Sequence, residues 1–369
     1  MGQSGIRKFG LSIGGLPTGM NNAITDVNGI RVGHSTIFRG NGELKPGKGP
    51  VRTGVTVIMP HEGNLYQQKV RAAAHALNGH SKSFGLEQIR EVGLLETPIA
   101  LTNTLNVGIV ADALIEYSLQ ENRDIKIFTI NAVVGETNDY YLNDVVGRHV
   151  RHEHVFNAIE SAASGPVQEG AVGAGTGTSC FGWKGGMGTS SRVLPEEAGG
   201  YTIGALVQSN YGRSEDFIAC GVPIGRVLKP PADPVETESG GSIMIVVATD
   251  APLCSRQLQK LCVRAGIGLG RTGSVFGFMS GDMVIAFSTA HKISHTMLPL
   301  EREFSFVQDN PMVMGQFFLA VTECVEEAIL NSLFEAETVE GWGGHTRHKL
   351  PVEKVVALVR KAQDLEDLT

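Results

Sequence analysis

One segment of the sequence constrains the fold more than any other: an unbroken apolar run that follows a long polar stretch. Residues 242–249 read SIMIVVAT, and every side chain between Ser242 and Thr249 is apolar. Residues 229–241 are rich in proline, acidic residues, serine and glycine, and predict an exposed loop. An apolar run bounded by turn residues is typical of a strand buried on both faces. Since such a strand needs a covering layer on each side, the sequence predicts a layered α/β fold with a core strand that starts at residue 242.

Alternating strand-like and helix-like stretches fill the rest of the chain. Apolar runs predict further strands at residues 54–59, 125–134, 201–208 and 282–288. Helical periodicity predicts helices at residues 107–119, 153–163, 312–334 and 351–365. Asp250 is expected to cap one more helix, directly after the core strand. This alternation favours the layered α/β class.

Composition and charge exclude several classes of function. The 31 Lys and Arg residues against 38 Asp and Glu residues give a formal net charge of −7, so no nucleic-acid partner is expected. The apolar runs fall far short of the roughly 18–20 residues of a membrane-spanning helix, and no apolar leader is visible. Five cysteines, an odd number without a CxxC pair, are typical of free thiols in a reducing compartment. We therefore expect a cytoplasmic protein with no membrane partner.

Several familiar motifs stand in a context that argues against their usual function. The GxGxxG of residues 268–273 follows a helix and precedes a strand, the reverse of a dinucleotide-binding turn, so a glycine-rich helix end is favoured. The GxSxG of residues 10–14 leads into no helix, unlike a hydrolase elbow. The glycine run at residues 173–178 either cradles an anion or packs tightly at a site or subunit contact, and the second is favoured. The histidines of residues 149–154 lack partners at metal-ligand spacing and are expected to start a solvated helix.

Ser242 carries the most specific chemical hypothesis. It follows Gly240 and Gly241, ends the polar loop and opens the buried strand. Glycine leaves the preceding carbonyl open to attack, and the strand fixes the serine, so the hydroxyl stands at high effective concentration beside that carbonyl. An N→O acyl shift and ester hydrolysis would leave Ser242 as a new N-terminus, whose α-amine, with a pKa of about 7.7–8, can act as a base. The alternative is a plain loop that enters a strand.

A series of stretches makes the chain resemble the self-processing aminopeptidases typified by L-aminopeptidase/D-esterase-amidase and the β-peptidyl aminopeptidases. They follow the family order along the chain: residues 22–27, 51–57, 101–104, 134–137, 173–178, 206–210, 241–249 and 280–282. The resemblance implies a four-layer αββα sandwich with two mixed β-sheets between helical layers, in a single domain of residues 1–369. It also implies cleavage between Gly241 and Ser242 into an α chain, 1–241, and a β chain, 242–369. Such paired chains assemble as homo-oligomers in this family, commonly tetramers.

The resemblance also implies the catalytic residues. Ser242 Oγ would be the nucleophile of an acyl-enzyme, with its own α-amine as the base. Ser280 and Asp282 are two residues apart, and so on one face of a strand, and would orient Ser242 and its amine. Asn210 would donate a side-chain N–H to the developing oxyanion. Asp282 departs from relatives that carry glutamate there, and its shorter side chain is expected to shift that contact.

The substrate site is implied by the same resemblance. Glu136, at the end of a predicted strand, would pair with the free ammonium group of the substrate and so make the enzyme an aminopeptidase. Tyr140 would line the same pocket, although Tyr141 competes for that role. The implied substrates are short peptides and amino-acid amides or esters, and the chemistry needs no metal or organic cofactor. Two other functions stay open: an acyltransferase on the same fold, and a non-catalytic binding protein that has kept the scaffold.

Overall fold

The structure, a computed structural model, describes residues 5–232, 241–296 and 299–366. Residues 233–240, most of the predicted exposed loop, therefore lie outside the described residues. The strands are β1 Arg31–Arg39, β2 Val51–Met59, β3 Gln68–Gly79, β4 Leu94–Leu95, β5 Ile99–Asn103, β6 Val133–Thr137, β7 Ser179–Cys180, β8 Trp183–Lys184, β9 Gly186–Val193, β10 Thr202–Asn210, β11 Ser242–Thr249, β12 Gly281–Ser294, β13 Val339–Glu340 and β14 Thr346–Arg347. The helices are α1 Leu86–Val92, α2 Val107–Gln120, α3 His152–Glu160, α4 Ser255–Arg271, α5 Pro311–Phe334 and α6 Val352–Glu366.

Two mixed sheets face each other at the centre of the molecule. The four-stranded sheet has the order β1-β2-β5-β6, with β5 and β6 parallel and the other pairs antiparallel. The six-stranded sheet has the order β4-β3-β12-β11-β10-β9, with β11 and β12 as its parallel pair. Helices α2 and α3 pack on the four-stranded sheet, and α4 and α5 pack on the six-stranded sheet. This arrangement confirms the four-layer αββα sandwich with two mixed β-sheets between helical layers.

Strand β11 is buried on both faces, as the sequence predicts. Ile243 and Ile245 pack into the core that α4 and α5 cover. Met244 and Val246 point to the opposite face and pack into the core between the two sheets. Because side chains alternate along a strand, Ser242 shares the inner face with Met244. The first residue of β11 therefore directs its side chain toward the gap between the sheets.

Two local predictions are wrong. The strand predicted at residues 125–134 is reduced to β6, because the residues before Val133 pair with neither sheet. Asp250 does not cap α4, since that helix begins only at Ser255. The Asp250 carboxylate instead accepts a hydrogen bond of 2.9 Å from Thr202 N and so ties the end of β11 to the start of β10.

The cysteines and the GxGxxG motif agree with the sequence analysis. All five cysteines are free thiols, and three of them are buried. Helix α4 runs through most of the GxGxxG motif and ends at Arg271, and Gly273 then turns the chain with a φ of +107°. In the part of the chain that the structure describes, no helix combines the length and the apolar character needed to span a membrane.

Candidate active site

The predicted catalytic residues meet where three neighbouring strands of the six-stranded sheet begin or end. Asn210 is the last residue of β10 and pairs with Ser242, the first residue of β11. Ser242 pairs in turn with Gly281, the first residue of β12. Ser280 precedes Gly281, and Asp282 follows it. The structure thus brings the four predicted residues together, and all four are buried: Asn210, Ser242, Ser280 and Asp282.

The peptide bond between Gly241 and Ser242 lies against the start of β12. Gly281 N is 3.1 Å from the Gly241 carbonyl oxygen and 3.3 Å from Ser242 Oγ. A side chain at position 241 would not fit, because a Cβ there would lie 2.8 Å from Tyr211 Cα. Glycine at this position therefore lets the carbonyl group and the Ser242 hydroxyl approach one backbone donor.

Ser280 and Asp282 form a buried hydrogen-bonded pair. Ser280 Oγ donates a hydrogen bond of 2.6 Å to Asp282 Oδ1. Within the described residues, Asp282 Oδ2 is buried without a hydrogen-bond partner. Burial raises the pKa of Asp282 to about 6, although the hydrogen bond from Ser280 acts in the opposite direction. The backbone N–H of Gly281, which lies between these two residues in the sequence, makes the contact to Ser242.

The Asn210 carboxamide is held by two backbone groups. Its Oδ1 accepts a hydrogen bond of 2.9 Å from Ser179 N, and its Nδ2 donates one of 3.0 Å to the Asn138 carbonyl. An amide nitrogen carries two hydrogens, so Nδ2 can donate a second hydrogen bond. The direction of that second donor depends on the segments that contain Ser179 and Asn138.

A buried lysine that the sequence analysis missed supports this arrangement. The ammonium nitrogen of Lys184 donates to three backbone carbonyls at 2.8–2.9 Å, those of Gly175, Thr178 and Gly185. Burial lowers the pKa of Lys184 to about 7. Because Thr178 immediately precedes Ser179, Lys184 helps to fix the N–H group that orients Asn210. The glycine run at residues 173–178 thus packs tightly at the site, as the sequence analysis favours.

Glu136, the predicted ammonium-binding carboxylate, is buried near the end of β6 on the facing sheet. Its Oε1 accepts hydrogen bonds from Ser81 Oγ at 3.0 Å and from Lys82 N at 2.9 Å. Ser81 also lies against Gly281, where an added Cβ would come within 3.0 Å of the Ser81 Cβ. The loop between β3 and α1 therefore connects Glu136 to the donor beside Ser242. No motif in the sequence gives a signal for Ser81.

The two candidate pocket tyrosines differ in their surroundings. Tyr141 is buried, its ring stacks on that of His345 with centroids 4.7 Å apart, and the Arg347 guanidinium lies 3.5 Å from its ring centroid. Tyr140 is half-buried, and its N–H donates a hydrogen bond of 3.1 Å to Asn138 Oδ1. The carbonyl of the same Asn138 accepts the hydrogen bond from the Asn210 carboxamide, so the backbone of Tyr140 is linked to the site through Asn138.

The histidine-rich stretch at residues 149–154 serves the fold. His149 is buried, with its Nε2 2.9 Å from Asp144 Oδ2, and His152 is the first residue of α3. The expectation of a solvated helix start is therefore wrong for His149, because Asp144 holds its ring inside the protein. Among the described residues, no group of three or more His, Cys, Asp or Glu side chains is arranged to hold a metal ion.

Comparison with known proteins identifies the family. Residues 22–347 match the model of peptidase family S58. This chain belongs to peptidase family S58. The S58 peptidase is 39% identical to a β-peptidyl aminopeptidase of Sphingosinicella microcystinivorans, over 97% of this chain and 92% of the relative.

Two solved structures extend the comparison. A protein of Pyrococcus horikoshii OT3 matches the S58 peptidase with a TM-score of 0.91 and 48% identity, over 97% of this chain and 99% of the other. The L-aminopeptidase D-Ala-esterase/amidase of Ochrobactrum anthropi matches with a TM-score of 0.90 and 37% identity, over 98% and 99%. The Ochrobactrum protein is a prototype for the serine aminopeptidases and a variant of the Ntn hydrolase fold. The S58 peptidase is therefore an aminopeptidase with an Ntn-hydrolase fold, which confirms the family, the fold and the enzyme class that the resemblance implies.

Proposed function

We propose that this S58 peptidase cuts itself between Gly241 and Ser242 and then removes the N-terminal residue from short peptides and amino-acid amides or esters through a Ser242 acyl-enzyme. The position of that peptide bond carries the proposal. It joins the polar loop to the first residue of the buried central strand, beside Asn210, Ser280 and Asp282. The likeness to a serine aminopeptidase with a variant Ntn hydrolase fold supports it.

Self-cleavage is an N→O acyl shift followed by hydrolysis. Ser242 Oγ attacks the Gly241 carbonyl carbon, an O–C bond forms, and the peptide C–N bond breaks. The proton that leaves Oγ ends on the Ser242 nitrogen, and the product is an ester. Water then cleaves the ester, which leaves a carboxylate on Gly241 and restores the Ser242 hydroxyl beside a free α-amine.

Turnover of substrate uses that α-amine as the base. An α-amine has a pKa of about 7.7–8, so it accepts a proton readily near neutral pH. It takes the Oγ proton as Ser242 attacks the substrate carbonyl, and it returns the proton to the leaving amine or alcohol. The second N–H of Asn210 Nδ2 donates to the oxyanion, and the Ser280–Asp282 pair positions the amine. Water hydrolyses the acyl-enzyme and regenerates Ser242.

Glu136 selects substrates that carry a free ammonium group. A buried carboxylate on the facing sheet is the natural partner for such a group, because a charge-assisted hydrogen bond offsets the cost of burying both charges. In this proposal the N-terminal residue of the substrate lies between Glu136 and Ser242. The names of the relatives, a β-peptidyl aminopeptidase and an L-aminopeptidase D-Ala-esterase/amidase, support short peptides, amides and esters as the substrate class.

The mass of the intact purified protein tests the proposal. We expect two chains, one that ends at Gly241 and one that starts at Ser242, and we expect them to stay together on size exclusion. The rate of cutting should not depend on protein concentration, because the reaction is intramolecular. The proposal fails if the chain stays whole while it hydrolyses amino-acid amides, or if the cut enzyme takes no adduct at Ser242 from a serine-reactive probe.

The Asp282 carboxyl gives the pH profile of the cut enzyme a second break. Burial raises the pKa of Asp282 to about 6 in the uncut chain. The α-ammonium group that forms on cutting would lower this pKa, so the second break is expected below pH 6. Below the pKa of the α-amine, log kcat should fall with a slope of about 1, which steepens to about 2 where Asp282 also takes up a proton. Asp282→Asn should lower kcat and remove the second break, whereas Asp250→Asn, at a carboxyl outside the site, should keep it. A second break that persists in the Asp282→Asn protein would contradict this role.

A further inference from the structure

The Gly241 carbonyl group has a hydrogen-bond donor of its own. Gly281 N lies 3.1 Å from Gly241 O, at the edge of the roughly 2.7–3.1 Å expected for a donor to an oxyanion. The same nitrogen lies 3.3 Å from Ser242 Oγ. One backbone N–H thus contacts both the oxygen that becomes negative during the cut and the atom that attacks.

The surrounding backbone fixes this donor in place. Gly281 pairs with Ser242 on one side and with Gly79 of β3 on the other. A Cβ at position 281 would lie 2.7 Å from the His80 carbonyl oxygen, so the loop after β3 packs directly onto Gly281. A donor held from three sides needs little reorganisation when charge develops on its acceptor, which is what oxyanion stabilisation requires.

Asn210 lies on the opposite edge of the nucleophile strand. Strand β11 has β10, which ends at Asn210, on one side and β12, which begins at Gly281, on the other. The Gly241 oxygen points to the β12 side, where Gly281 N binds it. Asn210 Nδ2 meanwhile donates to the Asn138 carbonyl at 3.0 Å. The Gly241 peptide would have to turn over before its oxygen met the Asn210 carboxamide.

We propose that the two reactions of this site use different donors: Gly281 N–H holds the oxyanion of the self-cleavage, and Asn210 Nδ2 holds the oxyanion of substrate hydrolysis. This inference rests on the proposed function. During the cut, the carbonyl electron pair moves onto Gly241 O, which Gly281 N–H stabilises. The electron pair returns to the carbonyl bond as the C–N bond breaks and the proton from Ser242 Oγ reaches the Ser242 nitrogen. Once Gly241 has left, the substrate carbonyl presents its oxygen to the β10 side.

Asn210→Ala separates the two reactions. We expect this variant to cut itself within about threefold of the wild-type rate, while kcat for amino-acid amides falls roughly 10²–10³-fold, the usual loss for one oxyanion donor. Both rates are measured on one preparation, the first by the mass of the chains over time and the second by product release. The melting temperature shows that the variant is folded.

Gly281→Ala provides the opposite test. Its added methyl group meets the His80 carbonyl and displaces the Gly281 N–H, so the cut should slow roughly 10²-fold, as expected for a misplacement of about 1 Å. Gly79→Ala is the matched control, because Gly79 pairs directly with Gly281 and its Cβ would meet nothing within 4 Å. The control should cut at the wild-type rate.

The outcomes separate this inference from the function on which it rests. A wild-type chain that never cuts overturns the proposed function. If the wild-type chain cuts itself and the Asn210→Ala chain stays whole, only the division between the donors is overturned. The division between the donors is also overturned if the Gly281→Ala chain cuts itself as fast as the Gly79→Ala chain. If Asn210→Ala does not fold, the comparison of these two glycine variants is the test.

Discussion

Ser242→Ala is expected to yield a single uncut chain whose peptidase activity is at least about 10⁴-fold below that of the wild type. In the proposed mechanism one hydroxyl serves both reactions, and without the cut the α-amine that would act as base never forms. The fold should persist. Alanine is smaller than serine, and the donor that loses Ser242 Oγ, Gly281 N–H, keeps the Gly241 carbonyl as its acceptor. Intact mass and turnover of an amino-acid amide measure the two effects.

A second buried serine controls for the loss of a hydroxyl group as such. Ser209 lies next to Asn210 in β10, and its Oγ is 2.7 Å from Ser332 Oγ. The same oxygen also lies 3.2 Å from both Gly186 N and Gly186 O. Ser209→Ala should therefore cost about 1–3 kcal/mol of stability and should still cut itself. Cutting after Gly241 in the Ser242→Ala protein would show that another protease or another nucleophile makes the cut.

Glu136→Gln is expected to lower kcat/KM for substrates with a free ammonium group by about 10³-fold, because breaking a buried charge pair costs roughly 2–5 kcal/mol. Glutamine keeps an oxygen that can accept the hydrogen bonds from Ser81 and Lys82, so the change removes the charge and little else. Most of the loss should appear in KM. Self-cleavage should be unaffected, because the Gly241–Ser242 peptide presents no ammonium group to Glu136.

The control for this variant is Glu87→Gln, at a nearby exposed carboxylate whose partner is Arg90. It should leave both rates unchanged. Blocking the substrate amine by acetylation should impair the wild-type enzyme strongly and the Glu136→Gln enzyme little, because the charge pair is then already lost. Equal discrimination between free and acetylated substrates in the two enzymes would show that Glu136 does not bind the ammonium group.

The elements that the sequence predicts best are those whose burial leaves a pattern in the sequence. Strand β11 has the predicted bounds, because the apolar run from Ile243 to Ala248 has the length of a strand and is apolar on both faces, so both faces must be covered. The strand predicted at residues 125–134 is wrong because a strand also needs a neighbour. Apolar composition does not indicate which segments will pair with the edge of a sheet. In this region Val133–Thr137 forms the strand, which pairs with β5.

The candidate site likewise contains some residues that the sequence predicts and others that it does not. The resemblance names Ser242, Asn210, Ser280 and Asp282, yet the register that brings them together is a property of the sheet. Lys184 and Ser81 escape prediction for a different reason. Lys184 binds backbone carbonyls, which every residue carries, and Ser81 finds its carboxylate partner more than fifty residues further along the chain. The donor that we assign to self-cleavage is a backbone N–H, which has no signature in the sequence.

Strands β11 and β12 lie between β10 on one side and β3 on the other. Residues before the proposed cut supply the flanking strands β3 and β10, and residues after it supply β11 and β12. Once severed, the polypeptides can re-form this sheet after denaturation only by a bimolecular encounter, whereas the precursor needs no partner. The heat stability of the cut enzyme is therefore expected to rise with the concentration of its two chains, whereas that of the uncut chain is not.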